Sequence, residues 1–369
     1  MIDAEEWKVS LPSWRDGSAR RSVIAFLQEI TQGPDALPAA DRVAAFDNDG
    51  TLACEKPHTA LAGFLLDRAA AAAGPAPPEV ASGHDVLREL GVLFAGQTTA
   101  QYEEQARRYL TGALHPRFQR PYPMLTYQPM LELISLLHAL DFSVFMCTDS
   151  SRDFMRVIAG PAYGLRRERV IGSEVQIQSV DGRLVRTALP VPMDDGPGKT
   201  VHLWDRTGTQ PVLAAGNAAG DIDMLRAARF ALVIHHDDAV REYAYDDYQI
   251  LDAAAEGGWT VLSMRDEFAP HLASGPRRWR AVTDGVPGLV LRSFSARGHG
   301  QCFAAFLTFL LLCLTLPTSF LVFLLAAFAS CFAFLAAPMT DSSSSPETPR
   351  SDGCHLPRLM HLKPRGVGR

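Results

Sequence analysis

Short, unbroken apolar runs alternate with longer stretches of helical repeat through residues 1–268, and that alternation predicts an α/β fold. Runs at residues 43–46, 142–147, 211–215, 230–234 and 259–264 predict five strands. Phe142-Ser143-Val144-Phe145-Met146-Cys147 is almost continuously apolar, the mark of a strand covered on both faces. Between them, Val23, Phe26, Leu27 and Ile30 fall at helical spacing within residues 18–31, before the break Gly33-Pro34-Asp35. Thr126 as N-cap and Pro129 in the first turn open a second helix, whose buried face is Met130, Leu133, Leu136, Leu137 and Leu140. Residues 170–173 and the alternation at Val175, Ile177 and Val180, with the turn Asp181-Gly182, predict a short hairpin. A further helix runs through Val201 and Trp204.

Residues 53–125 break the alternation. Leu61, Phe64 and Leu65, then Val86, Leu87 and Leu90, then Tyr102, Ala106, Tyr109 and Leu110 form successive helical patterns with Pro- and Gly-containing breaks between them. The segment is too long for a loop and reads as helices inserted over the sheet, able to exclude water and select what enters.

The pattern changes again after residue 285. Residues 302–338 contain no charged side chain, and the runs 303–316 and 320–337 flank Pro317-Thr318-Ser319. About 20 apolar residues cross a bilayer, so this is a candidate membrane segment, either one tilted span or a re-entrant hairpin, the alternatives being a helix of a soluble core or a frame-shifted or fused fragment after about residue 285. Arg292 and Arg297 before it balance Arg350 and Arg358 after it, so local charge selects no orientation. Residues 269–301 read as a linker, and residues 339–369, with Ser342 to Ser345 and several prolines, as a disordered tail.

Composition narrows the class. With 369 residues, 47% hydrophobic and 21% charged, the chain is long enough for two globular domains. A formal net charge of −6 argues against nucleic acid as a partner. The six cysteines form no C-x-x-C, so neither a zinc pattern nor a disulfide framework is present, and Cys147 reads as a small buried hydrophobe. Charges at Glu5, Glu6, Lys8, Arg15, Arg20 and Arg21 leave no apolar core for a secretory signal, which predicts a cytoplasmic enzyme portion. His235 and His236 are neighbours on an extended run and point to opposite faces, so they are poor joint ligands.

Chemistry concentrates where the first strand ends. Val43-Ala44-Ala45-Phe46 runs into Asp47 and Asp49, with Gly50 directly behind to turn the backbone. In an open α/β sheet that strand end opens into the ligand crevice. Two carboxylates so close either divide the work, one attacking while the other trades protons, or hold a divalent cation together. Thr148 at the end of the second predicted strand can donate to a phosphate oxygen, and Lys199 can supply the fixed positive charge an anionic reaction needs. Asn217 and Asp221 place oxygen ligands after the run at residues 211–215.

Asp47-Asn48-Asp49-Gly50-Thr51-Leu52 resembles the first motif of the haloacid dehalogenase-like hydrolases, most of which are Mg²⁺-dependent phosphatases. Asp49 favours a phosphatase within that superfamily, because the dehalogenase branch lacks the second carboxylate. The order of Thr148, Lys199 and Gly216-Asn217 through Asp221 is similar to that of the other three motifs. Two departures stand out. Asn217 replaces the aspartate many members carry, and Asp149-Ser150 replace common glycines. The position matching the cap-side glutamate of phosphoserine phosphatases is Lys56, with Glu55 one residue before it, so phosphoserine is not implied as substrate.

The resemblance, over roughly residues 10–268, implies a Rossmann-like parallel sheet at residues 1–52 and 126–268, and a helical cap at 53–125 as in the phosphoserine-phosphatase-like branch. It implies Asp47 as nucleophile, Asp49 as acid and base, and Thr148, Lys199 and Gly50 around the phosphate. Mg²⁺ would be held by Asp47, Asp49 and Asn217, with Asp221 in support. The expected activity is hydrolysis of a small phosphorylated metabolite. Transfer to an acceptor other than water and a degenerate fold that only binds a phosphorylated ligand are the alternatives.

Overall fold

The computed structural model describes residues 7, 10–73, 90–191, 193–269 and 272–273. The candidate membrane segment at 302–338, its linker beyond residue 273 and the tail lie outside these. Among the described residues no helix is long and apolar enough to cross a membrane.

The chain enters through α1 (Ser18–Gln32), which buries Ala19, Val23, Leu27 and Ile30. Phe26, one position off that stripe, stacks on Phe230 at 4.8 Å between ring centres. β1 (Val43–Phe46) follows and is buried throughout, as expected of a strand with apolar neighbours on both faces. The inserted segment contributes α2 (Ala60–Ala73) and α3 (Thr99–Gly112), the latter opened by a reciprocal Thr98–Gln101 capping box. The chain returns through α4 (Gln128–Ala139) and β2 (Ser143–Ser151), then a single helical turn, α5 (Arg152–Arg156). Next come β3 (Val170–Ser173) and the strands β4 (Val175–Val180) and β5 (Arg183–Pro190). The remainder is α6 (Pro197–Thr207), β6 (Leu213–Gly216), α7 (Ile222–Ala227), β7 (Phe230–His235), α8 (Tyr248–Gly257) and β8 (Thr260–Ser263).

Six strands form one parallel sheet in the order β3-β2-β1-β6-β7-β8. Ala45 pairs with Phe145 of β2 on one side and with Ala214 of β6 on the other. From β1 the order runs outward in both directions, which makes the carboxyl ends of β1 and β6 the switch point where such sheets bind ligands.

Two expectations need correcting. The sheet has six strands rather than five, because residues 170–173 leave the expected hairpin and pair with Met146, Cys147 and Thr148 of β2. Their short apolar pattern suits a buried parallel edge equally well, and only the pairing partner distinguishes the two. Thr126 is not the cap of α4. Tyr127 occupies that position without a side-chain cap, while Thr126 sits in a short antiparallel bridge with Ala53.

The inserted helices pack on the core through aromatic rings. Phe64 of α2 stacks on Phe94 and on Phe154 of α5 at 5.3 and 5.4 Å. Aromatic pairs at such distances add about 0.5–1.5 kcal/mol each beyond burial. The β4–β5 hairpin joins them: Arg186 N donates to Gln97 O at 2.9 Å, and Gly96 N to Arg186 O at 2.9 Å. Arg186 is itself fully buried, paired with Glu174 at 2.7 Å and lying 3.8 Å over the Tyr102 ring. The inserted segment and the hairpin are therefore tied together by backbone bonds and by the Arg186 guanidinium over Tyr102, while Glu174 pairs with that buried charge from the hairpin side.

Candidate active site

β1 delivers Asp47 and Asp49 to its carboxyl end, and both are buried. Asp47 N donates to Ala215 O at 3.0 Å, continuing the β1–β6 ladder one residue past the strand. Gly50 then turns the chain with φ +81°, where L side chains are strained. Space enforces glycine as well: a Cβ here would lie 2.1 Å from Asn217 Nδ2. The carbonyl oxygen of Asn48 receives the amides of Thr51, Leu52 and Ala53, and its side chain takes the Tyr163 hydroxyl at 2.7 Å, so the loop is held rigidly.

Lys199 arrives from the first turn of α6, behind Gly196 and Pro197. It is buried, and its Nζ donates to Asp47 Oδ1 and Asp221 Oδ1, both at 2.6 Å. Asp221 is anchored in turn, its Oδ2 accepting from the Asn217 and Ala218 amides at 2.9 and 3.1 Å. Burial works against the Lys199 ammonium, but the Asp221 and Asp47 charges overcome it and hold it well above the ordinary lysine range. Asp47 feels the reverse balance: burial first and Asp221 next push its carboxyl well up, with Lys199 opposing.

Asp49 faces the end of β2. Ser150 Oγ donates to its Oδ2 at 2.8 Å. Burial, then the Asp149 charge, push the Asp49 carboxyl up to about 7, in the range that lets a group both give and take a proton near neutrality. Thr148, Ser150 and Ser151 are buried while Asp149 is exposed, at the point where the β2–β3 register shifts. Thr148 Oγ1 accepts the Ser150 amide at 3.1 Å, which leaves its hydroxyl proton free to donate elsewhere.

Asn217, after β6, meets the β1 loop through its amide oxygen, which takes the Thr51 hydroxyl at 3.0 Å. Asp47, Asp49, Gly50, Thr148, Lys199, Asn217 and Asp221 thus converge on the ends of three adjacent strands. The histidine pair divides as its extended backbone requires. His235 Nε2 meets Asp246 at 2.8 Å, whereas His236 is buried, stacks on Tyr245 at 4.3 Å and reaches Gly50 O at 2.7 Å. Burial lowers the His236 pKa to about 4, so the neutral ring donates to that carbonyl. Cys147 is buried in β2, and burial pushes its thiol well up, away from nucleophilic use.

Sequence reasoning passed over Ser150 as a partner of Asp49, and His236, Glu55 and Tyr245 as neighbours of the site. Tyr245 donates to Glu55, and Asn217 Nδ2 lies 3.4 Å from each of their oxygens. His236 and Tyr245 reach the site because β7 lies beside β6, Ser150 because β2 lies beside β1, and Glu55 because it directly follows the β1 loop.

A parallel sheet with paired carboxylates, a buried lysine and oxygen donors at its switch point defines a hydrolase-type α/β crevice. Residues 44–226 match the family model described as haloacid dehalogenase-like hydrolase, a span that holds all of the converging residues. The α/β domain of this chain belongs to that family. No curated protein matches the chain. Among solved structures, a functionally unknown protein from Anaerococcus prevotii is similar at 12% identity and TM-score 0.49, covering 70% of this chain and 96% of its own. A family hydrolase from Salmonella enterica serovar Typhi matches at 19% identity and TM-score 0.35, over 60% and 72%. A phosphoserine phosphohydrolase-like protein from Francisella tularensis matches at 15% and 0.33, over 58% and 98%.

Proposed function

We propose that this protein hydrolyses a small phosphomonoester with Mg²⁺ through an aspartyl-phosphate on Asp47, as a phosphatase of the phosphoserine-phosphatase-like branch with a helical cap. The observation that carries this reading is Lys199 held between Asp47 and Asp221 at 2.6 Å each, with Asp49 beside them on Ser150. A binding module has no use for a second carboxylate tuned to about 7.

In the first half-reaction an Asp47 oxygen bonds to phosphorus and the ester P–O bond breaks. The Asp49 proton goes to the leaving alkoxide. In the second half, the Asp49 carboxylate takes a proton from water, the water oxygen bonds to phosphorus, and the Asp47–phosphorus bond breaks to release phosphate. Lys199 and the Thr148 hydroxyl stabilise the phosphoryl oxygens, and Gly50 turns the chain behind Asp49 against the Asn217 side chain. The inserted helices and the hairpin tied to them cover the crevice and select the leaving group.

The donors present suit Mg²⁺. Asp47, the Asp49 carbonyl and Asn217 Oδ1 are hard oxygens, and Asp221 orients the Asn217 backbone. Among the described residues no group of three His, Cys, Asp or Glu is placed to hold a metal ion, and the proposed set instead takes one carboxylate, one carbonyl and one amide. When bound, the cation neutralises charge on the transferring oxygens.

Release of inorganic phosphate from a panel of phosphomonoesters, with and without Mg²⁺, tests the proposal. Asp47→Asn should abolish release while keeping the wild-type thermal transition. Turnover at the wild-type rate in that variant would remove Asp47 as nucleophile.

A further inference from the structure

One carboxylate at the site has no part in the reaction above. Glu55 follows the β1 loop, and its side chain is 17% exposed, with Lys56 Nζ 3.6 Å away. Its Oε1 lies 3.4 Å from Asn217 Nδ2 and accepts the Tyr245 hydroxyl. At the other end of the same amide, Oδ1 takes the Thr51 hydroxyl at 3.0 Å. The carboxylate, which can only accept, identifies the nitrogen end of the amide, and the Thr51 hydroxyl then donates to the oxygen end. Asn217 is thus clamped with its carbonyl toward the β1 loop.

The clamp matters because of what Asn217 is. An amide oxygen is neutral, so a cation held here meets one negative charge fewer than an aspartate would provide. An N–H bond to a carboxylate draws electron density toward the amide oxygen and makes it a better donor, and the carboxylate adds its own charge a few ångströms behind.

We propose that Glu55 is a positioning residue for the divalent cation, orienting and polarising Asn217 and returning to the site the negative charge that an asparagine there lacks. The inference rests on the Mg²⁺-dependent reading above.

Calorimetric titration of Mg²⁺ into the full-length chain, without substrate, tests it. Glu55→Gln preserves shape and removes charge, so Mg²⁺ affinity should fall about tenfold to a hundredfold, the usual cost of losing a partner behind a metal ligand. Adding Asn217→Asp to that variant should restore most of the affinity, because the missing charge returns on the ligand itself. Unchanged affinity in Glu55→Gln overturns the role of Glu55 and leaves the Mg²⁺-dependent reading standing. So does a loss that Asn217→Asp fails to repair, or a metal-free variant that melts well below wild type, since either assigns Glu55 to the fold. A wild-type chain that takes up no Mg²⁺ overturns both.

Discussion

Lys199→Met should destabilise the domain in a way that depends on pH. The ammonium is 3% exposed and joins Asp47 and Asp221 at 2.6 Å each. Without it two carboxylates share one buried space. Removing one partner of a buried pair costs about 3–5 kcal/mol, and here both remaining partners are anions, which favours the upper end. The cost is limited by protonation. The Asp47 carboxyl is already held well up by burial and Asp221, with Lys199 opposing, so losing Lys199 raises it further. A carboxyl whose folded pKa exceeds its unfolded one binds more protons in the native state, and stability then falls as pH rises between the two values. The deficit of the variant should therefore be greatest at pH 8 and shrink toward pH 5, by about 1.4 kcal/mol per pH unit for each proton taken up. Urea unfolding of both proteins in a chelator, followed by circular dichroism at several pH values, measures it. A deficit under about 1 kcal/mol at pH 8, or one constant with pH, would refute the account, since either means that the lysine is not compensating buried charge.

Other outcomes follow from the same geometry. In metal-free protein the Asp49 carboxyl should titrate at about 7, read as the infrared difference between wild type and Asp49→Asn; titration in the ordinary carboxylate range would contradict its burial beside Asp149. Gly50→Ala forces a side chain into φ +81° and against Asn217 Nδ2 at 2.1 Å, so stability should drop by about 1–3 kcal/mol and phosphate release with it. A variant as stable and active as wild type would show that the loop can relax. The compact unit that contains the site ends at Thr283, so a chain cut after residue 285 should keep the thermal transition and phosphate release of the full-length protein. Loss of either would show that the later residues pack into this unit.

Much of the site was legible because each motif is a local event. A strand that ends in Asp47-Asn48-Asp49-Gly50 carries its apolar run, its turn residue and its carboxylates within a few positions, and strand geometry fixes where they emerge. Helix α1 was equally local, since its buried face repeats along its own length. The edge strand β3 was misread for the opposite reason: a short apolar run does not say whether its partner is the next residues or a strand earlier in the chain. The cap of α4 failed because Thr126, right by preference, is used in a bridge to Ala53.

The sequence by itself determined the α/β class, the first carboxylate pair and the order in which the other polar groups arrive. Tertiary structure decided which of them touch. Lys199 meets Asp47 across 152 positions, Ser150 meets Asp49 across 101, and Asn217 meets Glu55 across 162. Those contacts follow from the sheet order, which places β2 and β6 on either side of β1. Periodicity reports only which face of an element is apolar, whereas the choice of neighbouring strand is made by the packing of the whole chain.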